Sequence, residues 1–255
     1  MLTRPDESNR TFEQKRILVT GAASGFGAAI AQAFGRRGGL VVVADIDGKG
    51  AERIAQQIRS AIAVQVDLTS EEQVNTMAAE MVRAWGGIDI VCANAGGPHR
   101  SMNLIDLSSD EFDRVFALNV RSVFLTVKAC VPNMPSGGSI VTTASIGAIR
   151  PRPRQTAYNA SKGAVVTMTR GLAAELAPHI RVNCVLPVSA PTGFDRQAMG
   201  VESMPADVER EVIKSIPLGR RAQAADVANS VLFLASDSAN FLTGVCLNVD
   251  GGRSI

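Results

Sequence analysis

Arg16-Ile17-Leu18-Val19-Thr20-Gly21-Ala22-Ala23-Ser24-Gly25-Phe26-Gly27 is the stretch that decides the fold. An aliphatic run with the length of a strand passes directly into a glycine-bearing turn, and the spacing from Gly25 to Arg37 then predicts a helix. Glycines in that position let the backbone turn tightly and approach a pyrophosphate, whose charge is favoured by the free N–H groups at a helix N-terminus. Gly21, Ser24, Gly25, Phe26 and Gly27 are therefore candidate contacts for a dinucleotide. Taken alone the cluster is weak, because a strand-to-helix turn can hold glycine purely for packing.

Outward from this unit the same alternation repeats. Strands are predicted at Arg16 to Thr20, Leu40 to Ala44, Ile62 to Gln65, Ile88 to Ala93, Ser139 to Thr143, Ile180 to Leu186 and Val245 to Val249. Helical spacing falls between them, for example at Gly25 to Arg37, Lys49 to Arg59, Glu71 to Ala84, Ser109 to Val131 and Thr156 to Ala177, the last stopped by Pro178. The expected class is α/β, a single Rossmann-type doubly wound sheet of seven parallel strands with helices on both faces. No linker divides the chain, so one domain is expected over 15–255, after a flexible N-terminal extension, 1–14. A substrate lid is expected near 187–215, with the weakest periodicity from Pro187 to Met204. Phe194, Met199 and Met204 in that segment either line a pocket or pack the lid onto the body.

Composition supports a globular domain: of 255 residues, 46% are hydrophobic and 20% charged. The net charge of +2, spread along the chain, argues against nucleic acid as a partner. Apolar runs are short and punctuated, so no membrane span is expected. The four cysteines lie far apart in apolar contexts, unlike a zinc pattern or a disulfide framework; they read as free thiols, with no metal. The polar first residues lack a signal-peptide core, so the expected compartment is the cytoplasm.

Asp45, at the end of the second strand, stands where an acid would accept hydrogen bonds from the adenosine ribose hydroxyls and repel a 2′-phosphate. NAD is the expected cofactor, although a strand-end or helix-cap aspartate has the same appearance. Asp67-Leu68 and Asn94-Ala95-Gly96 end two further strands, where such sheets bind ligands, and each reads equally as a turn.

Tyr158, the only tyrosine, and Lys162 are four residues apart in a helical segment and so share a face. An ammonium there, together with an oxidised nicotinamide, would bring the phenol's pKa down toward working pH and make Tyr158 a general base. Ser145, just past a strand end, suits donation to a substrate oxygen and suits a helix cap equally well.

With these residues in place, the chain resembles the short-chain dehydrogenase/reductase family over nearly its whole length. The family's Thr-Gly-x-x-x-Gly-x-Gly turn is matched by Thr20 to Gly27 and its Asn-Ala-Gly turn by Asn94 to Gly96. Its catalytic tetrad is matched by Asn119, Ser145, Tyr158 and Lys162. The resemblance implies hydride transfer between NAD and an alcohol or ketone. It implies that Lys162 also binds the nicotinamide ribose, and that Asn119 holds a water linking Lys162 to solvent. It implies that Asp67 and Leu68 border the adenine and Thr192 contacts the carboxamide, with Ile46, Pro187 and Val188 also binding the cofactor, and that the protein is a homo-oligomer, a tetramer or dimer. One residue departs from the pattern: the family commonly has Pro-Gly where this chain has Pro187-Val188. Valine does not easily adopt positive φ, so a different backbone path beside the nicotinamide is expected.

The small-molecule substrate stays open among sugars, steroids, cyclic alcohols, 3-oxoacyl thioesters and hydroxy acids. Arg150-Pro151-Arg152-Pro153-Arg154, between Ser145 and Tyr158, suits an anionic substrate and equally a solvated rim or subunit contact; His99 and Arg100 are further rim candidates. Two other functions share these features. One is a non-catalytic NAD-sensing or scaffold protein, which would expect a broken tetrad. The other is an epimerase or dehydratase, which would expect an added substrate domain.

Overall fold

A computed structural model of the chain describes residues 11–191, 193–201 and 204–255. Among them, β1 (Arg16–Thr20), β2 (Leu40–Asp45), β3 (Ala61–Gln65), β4 (Ile90–Ala93), β5 (Gly138–Thr143), β6 (Ile180–Pro187) and β7 (Cys246–Val249) form one parallel sheet in the order β3-β2-β1-β4-β5-β6-β7. From β1 the chain winds outward to β3 and returns to β4 on the other side of β1. The order therefore reverses between β1 and β4, and a crevice opens there beyond the strands' C-terminal ends.

Strands buried on both faces must be apolar on both, and β1 and β2 are. Ile17, Val19, Val41 and Val43 face one core, built with α1 (Gly25–Arg36), α2 (Gly48–Ala55) and α9 (Ala224–Ala235). Leu18, Val42, Val91 and Ile140 face the other, built with α3 (Glu71–Trp85), α5 (Ser122–Cys130) and α6 (Thr156–Leu176). Adjacent residues of one strand thus anchor opposite layers, as the period of two requires.

The sequence reading placed the strands within two residues of their observed ends. Ile88 precedes β4 because its N–H goes to the Asn133 carbonyl, off the sheet. The second helix stops at Ala55, short of the expected Arg59, where Gln57 and Ile58 bond three residues back in turn geometry. The expected irregular segment holds α7 (Phe194–Met199), and α8 (Ala206–Lys214) follows within the lid range. The predicted flexible extension is corrected at its C-terminal end. Phe12 is buried edge-on against Phe34 at 4.8 Å, and its N–H bonds to the Arg37 carbonyl, whereas residues 1–10 lie outside the described residues.

The predicted helix Ser109 to Val131 is a composite of α4 (Ser109–Phe116), a π-helical turn over Ala117–Arg121, and α5. Contrary to the expectation from short apolar runs, the helical stretch Ser109–Asn133 is long and apolar enough to cross a bilayer by length and composition. Nearly half of it is buried inside the protein, where Val123, Leu125 and Val127 pack into the core, which explains the apolarity without a membrane.

Candidate active site

A cleft of about 340 Å³ lies over the switch point. Its first wall is the glycine turn, where Gly21 and Gly25 have φ of +64° and +56°, values that suit glycine. A Cβ on Gly27 would sit 2.0 Å from the Gly21 carbonyl oxygen, so α1 can begin this close to its own turn only with glycine there. The first N–H groups of a helix lack intrahelical partners, and Ser24, Gly25 and Phe26 line the cleft at that end of α1. The sequence thus builds an anion cradle suited to a pyrophosphate.

Asp45 closes the next part of the wall. Its Oδ2 accepts from Ala23 N at 2.9 Å and its Oδ1 from Asp47 N at 3.0 Å, so the carboxylate is aimed by both the glycine turn and the α2 approach. It remains partly exposed and lines the cleft beside the exposed Ile46, which suits a ribose diol. Asp67 and Leu68 also line it, yet the Asp67 carboxylate is committed to its own turn, accepting from Thr69 N and Thr69 Oγ1 at 2.8 and 2.7 Å.

Asn94 is chiefly a tie. Its Nδ2 donates to the carbonyls of Thr20 and Gly21, and its Oδ1 accepts from Thr143 Oγ1, so one side chain joins the ends of β1, β4 and β5. Ala95 meets Gly21 closely enough that a Cβ on the glycine would lie 2.8 Å from Ala95 Cα. Gly96 has no room for a side chain either: a Cβ there would stand 2.8 Å from Asn119 Oδ1 and 2.9 Å from Lys162 Nζ. Asn119, fully buried in the π turn, accepts from Gly97 N at 2.8 Å and donates to the Gly97 carbonyl and Ser161 Oγ at 3.0 and 2.9 Å. Its amide is used for docking this turn against β4's exit and α6. The π spacing explains why an asparagine in mid-helix is useful, since such single turns widen a helix locally.

Tyr158 and Lys162 lie one turn apart on α6, both buried, with Nζ 5.9 Å from the phenol ring centre. Ser145 fills the capping role that its position allowed. Its Oγ caps a short 3-10 turn by accepting from Gly147 N at 3.1 Å, and it hydrogen-bonds with Tyr158. Burial pushes the phenol's pKa above its usual value, opposed by the Ser145 hydrogen bond and by the charge of Arg152. That direction belongs to the chain without a bound cofactor. Lys162 Nζ donates to the Thr143 carbonyl at 2.9 Å, and burial lowers its own pKa to about 8.

Val188 resolves the anticipated departure. It avoids positive φ and extends the ladder past β6, its N–H bonding to the Val249 carbonyl at 3.1 Å and its side chain entering the core. Pro187 and Val188 both line the cleft; Thr192 lies outside the described residues. The segment that carries α7 and α8 is fastened by a feature that no local pattern announced. Buried Arg221 reaches Asp195 of α7 at 2.7 Å, Glu209 of α8 at 3.1 Å and Ser189 Oγ at 3.0 Å. Partners up to 32 residues away leave no mark in periodicity. Leu118, Ser189, Ala190 and Gln197 are further cleft residues that sequence reasoning missed, since none belongs to a motif or carries a titratable side chain.

The chain is similar to known proteins over nearly its whole length. The family profile described as enoyl-(acyl carrier protein) reductase matches residues 21–254. The chain is 41% identical to 4-formylbenzenesulfonate dehydrogenase of Comamonas testosteroni, over 93% of this chain and 97% of that one. It is 34% identical to 3-oxoacyl-[acyl-carrier-protein] reductase of Thermotoga maritima, over 95% and 99%. A crystal structure of 3-ketoacyl-(acyl-carrier-protein) reductase from Brucella melitensis, complexed with NADH, superposes with a TM-score of 0.89 at 39% identity, covering 95% of this chain and 99% of that one. The chain is an oxidoreductase fold of known lineage and belongs to the short-chain dehydrogenase/reductase family.

Proposed function

We propose that this protein is an NAD(H)-dependent oxidoreductase that interconverts a CH–OH group and a carbonyl, a secondary alcohol and a ketone above all. The observation that carries the reading is the hydrogen bond between Tyr158 and Ser145 in the cleft wall, one helical turn from the buried Lys162. Bound NAD would supply the acceptor for the hydride leaving the carbinol carbon. Ser145 donates to the substrate oxygen, and Tyr158 takes the hydroxyl proton in oxidation and returns it in reduction. The Lys162 ammonium favours the phenolate and binds the nicotinamide ribose, with Val188, Pro187 and Thr192 bordering the ring. Asn119 anchors the π turn beside Lys162 and thereby supports a proton path to solvent. Asp45 selects NAD over NADP. One relative is named as a reductase of a 3-oxoacyl compound, a ketone, which accords with this chemistry.

A homotetramer accords with the family resemblance and with a shallow apolar groove between α5 and α6, where Phe116, Phe124, Met168 and Leu172 are grouped. A cytoplasmic site accords with four free cysteines, of which Cys184 and Cys246 are paired across neighbouring strands yet unbonded. The decisive experiment is Tyr158→Phe. Equilibrium NAD binding should stay nearly intact while turnover of alcohols falls by at least about a thousandfold. Unchanged turnover overturns the reading.

A further inference from the structure

Two of the four cysteines stand face to face at the edge of the sheet. β7 is the last strand in the sheet order, and Cys246, its first residue, is the register partner of Cys184 in β6. Partner residues of parallel strands send their side chains to one side, and both thiols join the core built with α6. Neighbouring strands lie about 4.8 Å apart, within the roughly 4.4–6.8 Å between Cα atoms that a disulfide spans. The two sulfurs are already within hydrogen-bonding reach of each other. The register is gripped by a side chain as well as by the ladder. Asn183 Nδ2 donates to the Leu242 carbonyl at 2.8 Å, and its Oδ1 accepts from Val245 N at 3.0 Å. A slip that parted the sulfurs would break both bonds.

The two thiols differ in exposure and in charge preference. Cys184 is fully enclosed, with Sγ donating to the Val185 carbonyl at 3.5 Å, and its contact with Cys246 together with burial raises its pKa. Cys246 is partly exposed on the edge strand. The Cys184 S–H and the Arg170 guanidinium of α6 favour its thiolate and hold its pKa below the usual thiol value against the effect of burial. The thiolate is the form that reacts with peroxides, and access decides which cysteine is reached. Cys92 and Cys130 have neither advantage, since both are enclosed and burial raises both. An accessible attacking sulfur is thus set against an enclosed resolving one.

We propose that Cys246 and Cys184 form an oxidation site that takes a hydroperoxide and closes to a reversible disulfide, fastening the edge strand β7 to β6. The Cys246 thiolate attacks one peroxide oxygen, so that an S–O bond forms, the O–O bond breaks, and hydroxide leaves and takes a proton from solvent. Cys184 then gives up its proton and attacks the sulfenic sulfur; the S–S bond forms, the S–O bond breaks, and the second hydroxide leaves as water. Two thiols lose two electrons and hydrogen peroxide is reduced to two waters. The site is independent of the dehydrogenase reading, because neither sulfur takes part in hydride or proton transfer.

The full-length protein, reduced and then freed of reductant, is treated with hydrogen peroxide at about two equivalents. It should lose two of its four titratable thiols and the mass of two hydrogens, and a tryptic map should join the peptides that hold Cys184 and Cys246. Dithiothreitol should restore all four. The oxidised protein should melt about 4–10 °C higher than the reduced one, because the link closes the chain between residues 184 and 246. Cys184→Ala should stop the reaction at a sulfenic acid on Cys246 that dimedone captures. Cys246→Ser, a conservative change on the exposed edge, should abolish both the disulfide and the melting shift, and it carries the test if Cys184→Ala does not fold. Thiol loss spread evenly over Cys92, Cys130 and Cys246, disulfides between chains instead of within one, or a bond that leaves the melting temperature unchanged overturns the proposal.

Discussion

Lys162 Nζ donates to the Thr143 carbonyl at 2.9 Å, so the buried ammonium of α6 is anchored to the last residue of β5. Its pKa falls from 10.5 to about 8 because burial disfavours the charge. That difference corresponds to roughly 3 kcal/mol of folding free energy spent on keeping the cation inside. Below pH 8 both folded and unfolded chains hold the proton and the penalty is full. Between about pH 8 and 10.5 only the unfolded chain holds it, so this contribution to stability improves as pH rises. Lys162→Met should therefore be more stable than the parent by about 2 kcal/mol at pH 7, after allowing for the lost hydrogen bond, with the gap closing toward pH 10. Denaturant melts of both proteins at pH 7 and 10 check this, and a variant less stable at both would refute it.

Because Tyr158 is the only tyrosine, phenolate absorbance near 295 nm reports that side chain alone. Without cofactor the midpoint should lie above 10, since burial favours the neutral phenol. Saturating NAD should move it downward, because a cationic ring adds positive charge beside the phenolate. A midpoint unmoved by NAD would remove the electrostatic part of the proposed mechanism.

Gly96→Ala places a methyl between Asn119 Oδ1 and Lys162 Nζ, under 3 Å from each. The expected result is a folded protein destabilised by about 1–3 kcal/mol, with kcat reduced at least tenfold. Steady-state kinetics beside a melting curve separate the two effects, and wild-type kcat would show that the placement of Asn119 and Lys162 around Gly96 is irrelevant to turnover.

Asp45→Asn keeps the side chain's shape and one acceptor for the backbone while removing the charge that repels a 2′-phosphate. The ratio of kcat/KM for NADP over NAD should rise at least about tenfold, chiefly through KM. An unchanged ratio would assign cofactor choice to other residues.

Asp195→Asn weakens the buried pair with Arg221 while leaving Glu209 and Ser189 as partners. The α7 segment should then open more often, and trypsin should cut after Arg196 faster at unchanged overall melting temperature. Substrate KM should rise while NAD affinity stays the same. Cleavage no faster than in the parent would show that the clamp is not what holds this segment.

The sheet was legible because buried parallel strands must be apolar without interruption, as Leu18-Val19 and Val41-Val42-Val43 are. The candidate tetrad was legible because its spacing is a local, chemical signal. The Asp195–Arg221 clamp was not, since it joins residues 26 apart with no shared period. The burial that raises the phenol's pKa in the cofactor-free chain was not legible, for a related reason. Spacing puts Lys162 beside Tyr158, but the depth of burial and the competing Thr143 carbonyl exist only in three dimensions. Phe12 was likewise hidden, being a lone aromatic in a polar stretch whose partner, Phe34, lies beyond a strand and near the end of the next helix.

The π turn at Ala117–Arg121 gives the helix from Ser109 to Cys130 one residue more than its neighbours on either side would need for a regular spiral. Its two halves are therefore offset by about 100° from a regular spiral, and Val115 and Val123, on either side of the turn, are both buried. A one-codon deletion in the turn would mend the phase and strengthen the helix as a rod. The same deletion would swing Asn119 off Gly97 and Ser161, so the irregularity marks a place where a more regular protein would be a less capable one.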